Sequence, residues 1–177
     1  MLTEEAIVEQ IQADPEMMTV LAIIRDLNLA DAWLAAGAVR NFIWNQLSGK
    51  PGFDATTDMD LVFYDPEISY EETLQIEQEL KKTYPQYAWE VKNQVYMHLH
   101  SPGTAPYHSA CDAVSKYPEQ VYGSCGSLKE RGSARALSPL WDKGYRRLHR
   151  SADSAFFSQP RAFNGLYRAD EKEKLAE

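Results

Sequence analysis

Every isoleucine and every methionine of this 177-residue chain lies before residue 98. That segregation limits what the chain can fold into, because branched and long apolar side chains are what cores are built from. After Pro118 a single valine, Val121, remains, among seven Ser and seven Arg. Charge divides at the same place. Residues 1–118 carry seven Lys+Arg against eighteen Asp+Glu, and residues 119–177 carry eleven against eight. The division predicts one folded domain over residues 1–118, with the core confined to it. Residues 119–177 are expected to be an aberrant or weakly structured region with few long-range contacts.

The first region punctuates itself clearly. Asp14-Pro15 is a helix N-cap followed by proline at the first helical position. Met18, Leu21, Ala22 and Arg25 follow at helical spacing. The apolar run Ala32 to Ala36 ends at Gly37, and Val39, Ile43 and Leu47 then repeat every four residues, so a helix follows the glycine. Gly49 and Pro51-Gly52 stop it. Asp60 to Tyr64 reads as a strand ended by Asp65-Pro66. Ser69-Tyr70-Glu71-Glu72 is a capping box opening a helix that runs to about Thr83. Ala88 to Met97 alternates as a second strand, and Tyr107 to Lys116 suits one more short helix. Beyond that, Gly123, Gly126, Gly132 and Gly144 break any long amphipathic period.

Asp58-x-Asp60 is the motif with chemistry in it. Carboxylates at i and i+2 on a strand share a face, with Cα atoms about 6.5–7 Å apart. Such a pair can share two Mg²⁺ ions ~3.5–4 Å apart, which polarise a transferring phosphoryl group and activate the attacking oxygen. Alone the motif is weak, since D-x-D also occurs in loops, caps and calcium sites. Gly37-Ala38-Val39-Arg40-Asn41 strengthens it: a strand runs into a glycine and then a helix. Backbone N–H groups at the first turn of that helix can bind phosphate, and small residues let the backbone come close. Arg40 adds a charged donor.

A two-metal site usually needs a third carboxylate. Glu90 is the candidate, on the next strand with Lys92 and Gln94 on its face. An exposed Glu on an edge strand is the plainer reading. Asp65 fits less well, because Pro66 makes it a strand terminator. His98 and His100 share the expected strand face but lack a third ligand at zinc spacing, so His98 reads as a polar or substrate contact. Cys111 and Cys125 fit no zinc or CxxC pattern and read as reduced thiols.

Composition excludes several classes. No run of about 18 apolar residues exists, so no membrane span is expected. Met1-Leu2-Thr3-Glu4-Glu5 has acids where a signal peptide needs bases, which points to a cytoplasmic location. A net charge of −8 argues against nucleic acid as a general partner, since phosphate contacts need Lys and Arg. A nucleotide-sized substrate held through metal ions suits it better.

Gly37 to Asn41 with Trp44, then Thr57 to Pro66, then Trp89 to Gln94 with Met97-His98 resemble a bacterial family of small nucleotidyltransferases. These are distant members of the polymerase-β-like superfamily. The match runs over roughly residues 5–118, in order. The resemblance implies an α+β fold, a mixed sheet with helices packed on it. It implies Asp58 and Asp60 as metal ligands and Gly37-Ala38 as the phosphate-side turn, where the superfamily usually has Gly-Gly or Gly-Ser. It also implies attack of an acceptor hydroxyl on the α-phosphate of a nucleoside triphosphate, with pyrophosphate leaving. It does not name the acceptor.

After Pro118 the family usually continues with an Ala-Pro-Tyr-Gly and a Val-Arg-Pro segment. This chain has Ser138-Pro139-Leu140-Trp141 and Arg150-Ser151-Ala152-Asp153. Codons for both stretches can be chosen so that the same one-base shift restores family-like residues. The hypothesis is that residues from about 120 onward are out of frame with the ancestral gene. A divergent extension is the alternative, and DNA in which no single-base shift restores a family-like tail would refute the hypothesis. Missing apolar cover, at ~25 cal/mol per Å², would then weaken the fold.

The leading expectation is therefore a metal-dependent nucleotidyltransferase using Asp58, Asp60 and Glu90. Gly37, Ala38, Arg40 and Asn41 would hold the nucleotide, with Lys92, Gln94 and His98 as substrate contacts. Two alternatives stand beside it: an inactive module that keeps nucleotide or partner binding, and a metal-dependent phosphohydrolase. The Gly37 turn favours transfer over hydrolysis. The side-chain geometry of Asp58, Asp60 and Glu90 discriminates enzyme from binding module: convergence within reach of one metal pair supports an enzyme, and Glu90 on the opposite face of the sheet favours the binding module.

Overall fold

The computed structural model describes residues 4–100, 103–116, 125–128 and 134–137. Helices α1 (Glu4–Ala13) and α2 (Pro15–Asp26) lead into a short strand β1 (Trp33–Ala35), which passes directly into α3 (Ala36–Leu47). Strand β2 (Asp58–Phe63), helix α4 (Tyr70–Thr83) and strand β3 (Ala88–Asn93) form a parallel crossover unit. A short helix α5 (Gln94–Met97), a 3₁₀ turn (His98–His100) and helix α6 (Ala110–Ser115) follow. Strands β4 (Cys125–Leu128) and β5 (Ala134–Leu137) complete a mixed sheet in the order β3-β2-β1-β4-β5. This is the expected α+β architecture.

Local sequence explains the boundaries. The Asp14 carboxylate accepts from the N–H groups of Glu16 (3.1 Å) and Met17 (3.0 Å), capping α2 ahead of Pro15. Ser69 and Glu72 cap each other reciprocally at the start of α4. One expectation fails at the end of β3. The strand stops at Asn93 instead of running to Met97, because the Asn93 side chain ties the chain down. Its Nδ2 donates to the carbonyls of Asp65 (2.7 Å) and Ile68 (3.1 Å), and its Oδ1 accepts from Val95 N–H, capping α5. His98 and His100 therefore stand on a 3₁₀ turn, not on a strand face. The last helix is also shorter than Tyr107 to Lys116.

Alternation along β2 and β3 sorts the sheet into two faces. Met59, Leu61, Phe63, Trp89 and Val91 join Leu34 and the apolar sides of α1, α2 and α3 in the main core. Trp33, Ala35 and Val62 form a second, smaller cluster with Ala110 and Val114 of α6 on the other face. Among residues 5–116, the buried apolar ones run from Ile7 to Val114. The sheet itself continues past residue 118. Leu34 pairs with Gly126 and Ala35 with Cys125, so residues 125–128 fill the second edge of β1. Beyond residue 118, residues 125–128 thus make long-range pairings, against the expectation of few such contacts, and most of that region lies outside the described residues. An unpaired β1 edge needs backbone partners, and Cys125 and Gly126 supply them. Burial of Trp141, Phe156 and Phe157 against the sheet would refute a weakly structured tail, but these residues lie outside the described ones.

Candidate active site

Asp58 and Asp60 lie on β2 with their side chains on the face opposite Met59 and Leu61. The register of the parallel pair sets Glu90 directly beside Asp60, and on the other flank Ala35 of β1 is Asp60's partner. Glu90 therefore shares the face of the two aspartates, one strand spacing (about 4.8 Å) away. All three carboxylates are half-buried. Lys92 follows on the same face, beside Val62.

The turn into α3 closes over Asp60. Ala35 is extended, and Ala36 adopts φ +50°, the left-handed region that costs a side-chain-bearing residue about 1 kcal/mol or more. The left-handed residue is thus the alanine before the glycine. Gly37 is required for a different reason, close approach. A Cβ there would stand 3.3 Å from Thr57 Cγ2 and 3.6 Å from Asp60 Oδ2. Gly37 N–H donates to Asp60 Oδ2 at 3.3 Å. Ala35 at the N-cap makes no side-chain capping bond, and the Asp60 carboxylate takes the Gly37 N–H of the first turn instead, at the positive end of the α3 dipole.

The electrostatics of this pocket are unbalanced. Burial, then the charges of Glu90 and Asp58, push the Asp60 carboxyl up from 3.8 to about 7, while the Gly37 N–H and the Arg40 charge act in the opposite direction. Neutralising such a cluster is what a hard divalent cation does, and an all-carboxylate donor set suits Mg²⁺. Among the described residues no three of His, Cys, Asp and Glu form a ready cage for a metal. Mg²⁺ habitually takes one or two carboxylates and completes its shell with water and substrate phosphate.

The other expected residues divide. Arg40 lies on α3 with its guanidinium 5.2 Å over the Trp44 ring, and its Nε donates to Asn41 Oδ1 at 3.1 Å. The Asn41 amide in turn donates to Thr57 Oγ1 at 3.0 Å. Asn41 is therefore engaged at both ends of its amide by protein. Gln94 is fully buried, with Nε2 on the Lys92 carbonyl and Oε1 without a protein partner, so it is an interior residue and not a surface contact. His98 bonds to the Val95 carbonyl and stands edge-on to Tyr107. Sequence reasoning missed Ala36 and gave Thr57 and Trp44 no role. The i, i+4 spacing of Arg40 and Trp44 was a usable signal. Thr57 meets Asn41 only through the fold.

A family model described as Nucleotidyltransferase matches residues 22–169, a span that continues beyond Pro118. A solved NMR structure, described as revealing a CCA-adding enzyme head domain, is 44% identical. It aligns with 87% of this chain and 90% of its own, at a TM-score of 0.72. No curated protein matches. With a sheet, a carboxylate row and a family match over most of its length, the chain belongs to the nucleotidyltransferase family.

Proposed function

We propose that this chain moves a nucleoside monophosphate from a nucleoside triphosphate to an acceptor hydroxyl, with Mg²⁺ held by Asp58 and Asp60. The observation that carries the reading is the position of Glu90, in register with Asp60 and on the same face as Asp58. Three carboxylates then share one face of the sheet, with Asp60 reaching the first turn of α3. Mg²⁺ bound there would offset the charge of the transferring phosphoryl group. Backbone N–H groups of the Gly37-Ala38 turn would bind the phosphates, the Gly37 N–H leaving Asp60 Oδ2 to do so. Arg40 supplies the positive charge next to them. Glu90 stands where it can take the proton of the acceptor hydroxyl as that oxygen bonds to the α-phosphorus and pyrophosphate departs. Lys92, on the same face, is the nearest of the other expected substrate contacts.

Every residue given a role here lies within residues 1–118, which we take as the nucleotidyltransferase-like unit. The likeness to a structure described as a CCA-adding enzyme head domain supports a nucleotide as the transferred group. The net charge of −8 argues against a general nucleic-acid surface on the acceptor side.

The test is incubation with each labelled nucleoside triphosphate, Mg²⁺ and a cell extract. Label appearing on an acceptor, and lost in Asp58→Ala and Asp60→Ala, is the expected result. Nucleotide binding without transfer would instead identify a binding module. Acceptor-independent release of phosphate would identify a phosphohydrolase.

A further inference from the structure

Arg40 is held by three side chains that the proposed chemistry does not itself use. We propose that Trp44, Asn41 and Thr57 are positioning residues that fix the Arg40 guanidinium against the phosphates of the bound triphosphate. The inference rests on the nucleotidyl-transfer reading above and extends it to residues that never touch the substrate.

The geometry runs from strand to helix. Asp54 Oδ1 accepts from both Thr56 N–H (2.9 Å) and Thr56 Oγ1 (2.7 Å), and Thr57 N–H donates to the Asp54 carbonyl at 3.1 Å, so the turn before β2 is locked. Thr57 therefore enters β2 with a fixed hydroxyl, one residue before Asp58. That hydroxyl accepts from Asn41 Nδ2, and Asn41 Oδ1 accepts from Arg40 Nε. The Trp44 ring underlies the guanidinium from the next turn of α3. The Thr57 methyl meanwhile packs where a Gly37 side chain would stand. One connected set of side chains thus ties together the phosphate-side turn, the metal-side strand and the arginine.

The physical consequence concerns freedom of motion. An arginine has many rotamers, and bidentate phosphate recognition requires its planar fork in one orientation. A hydrogen bond at Nε and an aromatic face beneath the plane fix that orientation before substrate arrives, so less order is lost on binding. Because Arg40 would address phosphate and not base, the array should act equally on all four nucleotides.

The experiment measures equilibrium binding of the full chain to each of the four ribonucleoside triphosphates with Mg²⁺. The variants are Trp44→Leu, Trp44→Phe, Thr57→Val and Arg40→Ala, with both double variants of Arg40→Ala. Thr57→Val keeps the methyl against Gly37 and removes the hydroxyl that accepts from Asn41 and also bonds to the Asp54 side chain. Trp44→Leu and Thr57→Val should each weaken binding about three- to tenfold for every base. Trp44→Phe, which keeps an aromatic face, should restore most of it. In the Arg40→Ala background neither substitution should matter further, the mark of coupling through that arginine. A loss of equal size in that background would assign the residues a structural role and overturn the proposal. So would no loss at all in a protein whose wild type binds triphosphate, and the transferase reading would then stand. A wild type that binds none of the four overturns both.

Discussion

On one face of the sheet, Met59, Leu61 and Phe63 of β2 and Trp89 and Val91 of β3 are almost wholly removed from water in the main core. On the other, Asp58, Asp60 and Glu90 occupy the intervening positions of the same two strands. The second face has a small apolar cluster against α6 and is otherwise given to charge. Neighbours one residue apart therefore experience opposite physics. A side chain on the first face is valuable for the water it excludes. A carboxylate on the second is costly until something positive arrives, as the elevated Asp60 shows. The rigid face holds the costly one in place.

Substituting adjacent residues of β2 is the sharpest way to break this contrast. Asp60→Asn should reduce nucleotidyl transfer about a thousandfold or more, ~4 kcal/mol in barrier, because it removes the proposed metal ligand and nothing of the core. Its fold should survive, and in chelator at pH 8 it should unfold at a higher temperature than wild type. Added Mg²⁺ should reverse that order, since binding stabilises wild type by about 2.7 kcal/mol at a hundredfold excess over Kd. Leu61→Ala should do the reverse. It empties a site with 0% exposure and should cost ~2–5 kcal/mol, read by urea unfolding. Equal damage to activity and stability by both substitutions would dissolve the distinction between the faces.

The pH dependence sharpens it further. Asp60 has a folded value of about 7 against 3.8 unfolded, so between those values the folded chain binds more protons than the unfolded one. Stability of the metal-free protein should therefore fall as pH rises from about 4 to about 7, then level off. The full shift would correspond to ~4 kcal/mol. Because Asp60 keeps some solvent access, a fall on the order of 2 kcal/mol is expected. Denaturation in chelator at pH 5 and pH 8 measures it, and Asp60→Asn should flatten the slope. A wild-type slope unchanged by that substitution would place its source elsewhere.

The two faces also differ in how legible they were. The run Asp60 to Tyr64 marked the strand, which in fact begins two residues earlier at Asp58, the D-x-D spacing marked the acidic pair, and Ser69 with Glu72 marked the helix after it. Glu90 was visible as a candidate, but its side of the sheet depended on a parallel register that only the crossover fixes. The end of β3 was illegible for a related reason. Asn93 looks like one more strand residue until its amide is seen to reach Asp65 and Ile68, 28 and 25 residues away. Strand β4, Cys-Gly-Ser-Leu, is too short for a period-2 pattern to mark it, and it pairs with the open edge of β1. What the sequence hid were contacts whose two ends are far apart in the chain.

The smallest expected effect lies at the turn between the faces, where Ala36 holds φ +50°. Ala36→Gly relieves the left-handed strain, worth about 1 kcal/mol, but a glycine also frees the unfolded chain, at ~0.4–1 kcal/mol. The net change in stability should stay within about 0.5 kcal/mol, measured by denaturant midpoint. Activity need not follow. The strained alanine fixes how α3 departs from β1, and with it the Gly37 N–H that meets Asp60. If the turn is pre-organised for phosphate, the glycine variant should bind triphosphate about two- to threefold more weakly at unchanged stability. If binding is unchanged as well, the strain at Ala36 is only the geometric consequence of a three-residue strand running straight into a helix.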